Sequence, residues 1–223
     1  MQNHAQARKN MVDCQLNTNG VIVPDVLAAF SEVPRELFVP APYQDVAYID
    51  TDMKLGKSGL FLMEPLVHAR MVQALAPKPG DRVLNVGDAA GYTSAIFARL
   101  GAEVFVPEEG MEEALLETAR AAWQKLGFNR IETLKGDFAK AVAKSGPYDL
   151  IFLNGAVAGI PEELTAQLAP GGRLAAVVKP EGTPMGVIVL AEKLASGIVA
   201  TRKLFDAATG YLPGYEPKPG FRF

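Results

Sequence analysis

The chain has one cysteine, Cys14, and two histidines, His4 and His68, in 223 residues. A lone cysteine can neither close an internal disulfide nor supply a cysteine-rich zinc site, so no metal centre is expected and a reducing, cytoplasmic setting is. No charge of one sign dominates: 22 basic against 25 acidic side chains leave a net charge of −3. Broad attraction to nucleic acid or anionic lipid is therefore not expected. The most apolar windows, residues 174–178 and 186–191, fall far short of the roughly 20 residues that span a bilayer. The opening M-Q-N-H-A-Q-A-R-K-N is polar and lacks the apolar stretch of an export signal. Internal repeats and low-complexity tracts are missing as well. What remains is 49% hydrophobic and 21% charged residues with 16 prolines and 21 glycines, a balance that excludes disordered and collagen-like chains and fits one sizeable globular core.

The first 78 residues form a helical and loop extension, and residues 79–223 a core with a tail. Ala7, Met11, Val12 and Leu16 recur at helical spacing, as do Val26, Leu27, Ala29 and Phe30, which predicts two short helices. Pro34, Pro40 and Pro42 then force an extended, turn-rich segment held by Leu37, Phe38 and Val39. A glycine-marked loop, G-K-S-G-L-F-L-M-E-P at 56–65, leads into a helix through Val67, Met71 and Leu75. From Pro79 onward, strands are expected at 82–86, 103–107, 131–135, 148–153 and 173–178, with helices at 92–100, 111–126 and from Pro161. Alternation of this kind marks a mostly parallel sheet covered on both faces. The last pair, 186–194 and 199–205, is expected as an antiparallel hairpin.

The chemistry concentrates in D-R-V-L-N-V-G-D-A-A-G-Y-T-S-A, residues 81–95. A buried strand runs into Gly87, turns to Gly91 and enters a helix, which brings backbone amides toward whatever lies above the strand's carboxyl end. Glu108, 17 positions beyond Gly91 at the end of the next strand, can accept from both hydroxyls of a ribose. Asp137 in K-G-D-F can accept from an adenine amino group, with Phe138 beside it. Ala89 stands at the central position of the dinucleotide fingerprint, which disfavours a pyrophosphate. The ligand that fits is an adenosine without phosphates, S-adenosylmethionine. Each residue also has a structural alternative: Glu108 and Glu109 as negative charge at a helix start, Asp137 as a turn former, Trp123 as helix packing.

Over almost its whole length the chain resembles the protein-L-isoaspartate (D-aspartate) O-methyltransferase family. The motifs are M-V-D-C-Q-L at 11–16, V-P-R-E-L-F-V-P at 33–40, A-Y-I-D at 47–50 and P-L-V-H-A-R-M at 65–71. The core adds V-L-N-V-G-D-A-A-G-Y, G-D-F, Y-D-L-I, I-P-E-E-L and L-A-P-G-G-R-L. The resemblance implies a Rossmann-like S-adenosylmethionine-dependent methyltransferase fold with an N-terminal helical extension and a C-terminal antiparallel hairpin. It implies methyl transfer to the side carboxylate of isoaspartyl residues in a protein or peptide. Asn85, Gly87, Asp88, Ala89, Gly91, Tyr92, Glu108, Asp137 and Phe138 then fall at cofactor positions, and Leu62, Met63 and Glu64 at substrate positions. The carboxylate nucleophile is already ionised, so no catalytic base is assigned and both histidines read as surface or structural.

The departures are local. The family's substrate loop ends S-Q-P, where this chain has Met63, Glu64 and Pro65. A hydroxyl donor has become a thioether and an amide an acid, which predicts weak methylation of isoaspartyl peptides. Ser58 lies near the start of that loop, and Leu60, Phe61, Leu62 and Met63 are also expected as an apolar lid over the cofactor. Asn85 replaces an acidic residue, Ala89 adds a methyl to the glycine turn, and Asp88 is expected to bring negative charge toward the cofactor's carboxylate. The same departures fit a non-catalytic binding or regulatory module, or a methyltransferase for a small-molecule acceptor. The tail carries Tyr211, Tyr215, Phe221 and Phe223 among prolines, expected to pin it to the domain or to border the cleft.

Overall fold

The computed structural model describes residues 3–218. Phe221 and Phe223 lie outside the described residues. Two short helices open the chain, α1 (His4–Asn10), continued by a wider π-helical turn over Met11–Leu16, and α2 (Pro24–Glu32). Pro24 starts α2 at a position where its missing N–H costs nothing. Arg35–Phe38 form a 3-10 turn in which Arg35 is fully buried. Two residue pairs, β1 (Met53–Lys54) and β2 (Phe61–Leu62), make a small antiparallel ribbon ahead of α3 (Pro65–Leu75).

The central sheet begins with β3 (Arg82–Val86), followed by α4 (Tyr92–Arg99), β4 (Glu103–Pro107), α5 (Glu113–Lys125), β5 (Ile131–Leu134), α6 (Phe138–Ser145), β6 (Tyr148–Val157), α7 (Glu162–Thr165), β7 (Leu168–Val178), β8 (Gly186–Lys193) and β9 (Val199–Ala207). Seven strands pair in the order β5-β4-β3-β6-β7-β8-β9. The first five run parallel, while β8 is antiparallel to both β7 and β9. Strand order therefore reverses beside β3, and the crevice at such a reversal is where open α/β sheets bind ligands.

The expected elements appear, with bounds that differ where side chains do not mark them. β3 and β4 coincide with the predicted strands. β6 and β7 extend beyond the predicted bounds, because they pair with each other outside those ranges, at Tyr148 with Leu168 and at Ala156 with Val177. Helix α6 was not expected: the short A-K-A-V-A-K-S run buries only Val142, and its start is set by Asp137, whose Oδ1 accepts from the Lys140 amide at 3.0 Å. The extension and one face of the sheet share a continuous core in which Met11, Phe30 and Phe38 join Val83, Val104 and Phe152. No described helix is long and apolar enough to cross a membrane.

Candidate functional site

The β3–α4 turn is built on two left-handed glycines, Gly87 (φ 74°) and Gly91 (φ 76°). Gly91 is the N-cap of α4 and has no side chain to offer. Asp88 supplies the cap instead: its Oδ2 accepts from the Ser94 amide at 2.8 Å and the Ser94 hydroxyl at 2.7 Å. Asn85 donates to the same oxygen at 2.8 Å and accepts from Asn154 Nδ2 at 2.6 Å. Asn154 also donates to the Val86 carbonyl at 2.9 Å and accepts from Thr93 at 2.6 Å. It lies between Phe152 and Ala156, where the β6–β7 register slips, an irregularity of the kind that re-aims a side chain. All five side chains are buried. Burial pushes the Asp88 carboxyl up, while bonds from the Ser94 hydroxyl and from the amides at the helix start pull it down.

This geometry alters two expectations. Asp88 does not turn its charge toward a ligand, because three donors beneath the loop hold it there. Asn85 and Asp88 instead satisfy each other, so the acid-to-amide change in β3 supplies a donor for the buried carboxylate. Tyr92 also points inward, fully buried against Phe30, Phe38 and His68 with the Arg35 guanidinium over its ring. Burial and the nearby Arg35 hold His68 neutral, well below the usual histidine range.

Above the turn, at the carboxyl edge of β3, β4 and β5, lies a cavity of about 760 Å3. Gly87, Glu109, Asp137 and Phe138 line it, and Leu60, Leu212 and Tyr215 cover it. Ala89 is buried in the apolar cluster that includes Leu60 and Leu212. Glu108 sits just outside the wall: Arg120 of α5 donates to its Oε1 at 2.6 Å, fixing the carboxylate at the end of β4. Arg120, Asn154, Ser94 and Leu212 carried no local signal in the sequence; Asn154 and Leu212 matter through partners far along the chain, and Ser94 and Arg120 through carboxylates 6 and 12 positions away. Trp123 is packed as expected, its Nε1 donating to the Gly91 carbonyl at 2.8 Å.

The 56–65 loop divides. Leu60 covers the cavity, whereas Leu62 and Met63 are buried in the core, and the Met63 carbonyl accepts from Arg35 at 2.7 Å. Ser58 is tied by its amide to Glu112 at 3.1 Å. Of the three substrate-loop residues, Glu64 alone retains access to solvent. Its amide donates to Asp52 at 2.9 Å, and Asp52 also accepts from the Thr209 hydroxyl at 2.6 Å, which ties this loop to the C-terminal segment. Burial first, then Asp50 and Asp52, push the Glu64 carboxyl up to about 7. Because its folded-state value lies above its unfolded one, the protonated form favours folding, and that contribution is lost as pH rises through about 7. Glu64→Gln stays neutral throughout. Its melting temperature is expected to match wild type near pH 5 and to exceed it by about 2–4 °C near pH 8.5, the small size reflecting partial solvent screening. Thermal unfolding at the two pH values checks this.

A parallel sheet with helices on both faces, a glycine turn into α4 and a cavity beside the strand-order reversal together define a Rossmann-like methyltransferase fold. The family model for protein-L-isoaspartate (D-aspartate) O-methyltransferase matches residues 6–213. A protein-L-isoaspartate O-methyltransferase of Methanoregula boonei is 41% identical over 83% of this chain and 83% of its own length. One from Methylorubrum extorquens is 42% identical over 80% and 76%, respectively. Among solved structures, a Plasmodium falciparum candidate protein-L-isoaspartate O-methyltransferase in complex with S-adenosyl-L-homocysteine superimposes with a TM-score of 0.73 at 21% identity. The match covers 95% of this chain and 99% of that one. The chain belongs to the protein-L-isoaspartate (D-aspartate) O-methyltransferase family.

Proposed function

We propose that this protein is an S-adenosylmethionine-dependent methyltransferase acting on a carboxylate of a protein or peptide, the isoaspartyl side chain being the acceptor class its family points to. The observation that carries this reading is the convergence of Gly87, Asp137 and Phe138 on one cavity at the sheet's carboxyl edge. An acid and an aromatic ring at the β5–α6 end suit an adenine, whose amino group donates to a carboxylate and whose face stacks on a ring. Glu108, oriented by Arg120, is the proposed ribose acceptor. The cofactor, when bound, supplies an activated sulfonium methyl to an oxygen that is already ionised at neutral pH. The chain's own contribution is to position the acceptor and exclude water.

Titration with S-adenosylhomocysteine tests the cofactor site. Glu108→Ala is expected to weaken binding by about tenfold or more, and Glu109→Ala by less than about threefold, since only Glu108 is held in place by an ion pair. The reverse order would assign the ribose to Glu109.

Glu64 replaces the family's amide with a group that donates a hydrogen bond only when protonated. It is therefore proposed to admit an acceptor carboxylate in its neutral form and to repel it when ionised. With the Glu64 carboxyl near 7, the protonated fraction falls about tenfold between about pH 6 and pH 8, and KM for an isoaspartyl peptide is expected to rise in proportion. Glu64→Gln should remove that dependence and hold KM near its low-pH value. Initial rates across this range decide it; a wild-type KM that does not vary with pH would exclude Glu64 from acceptor binding.

A further inference from the structure

The C-terminal segment crosses the end of the sheet as a strap. The Ala156 amide donates to the Gly210 carbonyl at 2.7 Å, and the Leu212 amide donates back to Ala156 at 2.8 Å. Leu212-Pro213-Gly214-Tyr215 then closes a tight turn, with the Tyr215 amide donating to the Leu212 carbonyl at 3.0 Å and Gly214 at φ 88°. Proline and a left-handed glycine at the two central positions make this a stiff type II turn. It presents the Leu212 side chain downward onto the glycine loop: a β-carbon built on Gly87 would lie 2.2 Å from Leu212 Cδ1. Leu212 is 2% exposed, and no ligand atom fits between it and Gly87.

We propose that Leu212 is a gate that closes one end of the nucleoside cavity, leaving it open to adenosine but shut to the amino-acid arm of S-adenosylmethionine until the strap lifts. The inference rests on the adenosine reading above. A ligand whose adenine lies at Asp137 and Phe138 must extend away from the β5–α6 loop, past β4, toward Gly87. That end of the cavity is the one Leu212 covers. Leu60 backs it, 3.5 Å from the same built β-carbon, and Pro213 abuts Gly59, so the strap and the 56–62 loop meet over the glycine turn. Asp52 joins the two through Thr209 and the Glu64 amide. Substrate-loop and strap positions are thereby mechanically linked, and a ligand that lifts Leu212 works against those bonds. Its apparent affinity is reduced by the fraction of molecules in which the strap is closed.

The test compares 5′-methylthioadenosine, which lacks the amino-acid arm, with S-adenosylhomocysteine, which carries it, by calorimetry on the full chain and on Leu212→Ala. The wild type is expected to bind the two ligands within about threefold of each other; Leu212→Ala should tighten S-adenosylhomocysteine about tenfold and leave methylthioadenosine within about twofold. Hydrogen exchange on the wild type gives a readout that does not need the variant to fold. The Leu212 and Tyr215 amides should exchange faster with S-adenosylhomocysteine bound and at an unchanged rate with methylthioadenosine. A wild-type preference of about tenfold or more for S-adenosylhomocysteine that Leu212→Ala does not alter, or slower exchange at those amides when it binds, overturns the gate while leaving the cofactor site standing. Failure of the wild type to bind either ligand overturns both.

Discussion

Asp88→Ala is expected to lower the unfolding free energy by about 3–5 kcal/mol, out of the roughly 5–15 kcal/mol that holds a domain of this kind together. The carboxylate is the common acceptor for the Ser94 amide, the Ser94 hydroxyl and Asn85, and alanine leaves the two Ser94 donors buried without it while Asn85 Nδ2 keeps only its bond to the Ser94 hydroxyl at 2.8 Å. Water cannot take its place cheaply, because Asn85, Ser94 and Asn154 are themselves almost fully buried. The effect reaches the ligand site, since the same acid caps α4 and fixes the turn that begins at Gly87. Asp88→Asn keeps an acceptor oxygen and is expected to cost only about 1–2 kcal/mol, the loss of charge assistance in those bonds. Urea unfolding of both variants checks the difference. An alanine variant within about 1 kcal/mol of wild type would mean that the network is not coupled to global folding.

The contrast between that network and the strands around it explains how much the sequence made legible. β3 and β4 could be placed to the residue because a buried parallel strand is a near-continuous apolar run, and Val83, Leu84, Val104 and Val106 announce it locally. The glycine turn was equally visible. Its supporting shell was not: Asn85 and Asn154 are 69 positions apart, and nothing in L-N-G-A marks a bulge that aims an amide across the neighbouring strand. Asp88 reads from the sequence as a charge aimed at the cofactor's carboxylate, because the glycine loop that carries it faces the ligand end of the strand. Only the positions of Ser94 and Asn85 turn it inward. Met63 likewise reads from the sequence as a cleft residue, since the Arg35 contact that anchors its carbonyl joins residues 28 apart. Met63 is packed with the core instead, so the loss of the family's serine removes a donor without placing a thioether in the cleft. The strap lies at the same limit. An aromatic, proline-rich tail reads as something that packs, but where it packs depends on the free edge left by Ala156 at the end of β6.

Gly91→Ala should be the most damaging single methyl added to the glycine turn. A β-carbon there would sit 2.5 Å from Ala119 Cβ and 2.7 Å from Trp123 Cζ2, both on α5, at a residue whose φ of 76° already disfavours any side chain. Backbone strain of about 1–2 kcal/mol and overpacking of about 1–3 kcal/mol give an expected loss of about 3–4 kcal/mol. The two parts are separable. Ala119→Gly alone costs about 1 kcal/mol, as glycine does in a helix interior, yet it removes the nearer of the two clashing atoms. In the double variant the overlap with Ala119 disappears while the left-handed strain remains, so the two substitutions should compensate by about 1 kcal/mol relative to their sum. Denaturant unfolding of the four proteins measures that coupling. Strict additivity would mean that α5 shifts to absorb the methyl, in which case the Trp123 bond to the Gly91 carbonyl at 2.8 Å must lengthen and the indole fluorescence should change with it. Full compensation would mean that the backbone at Gly91 tolerates alanine, and that glycine is required there for the approach of α5 rather than for the turn.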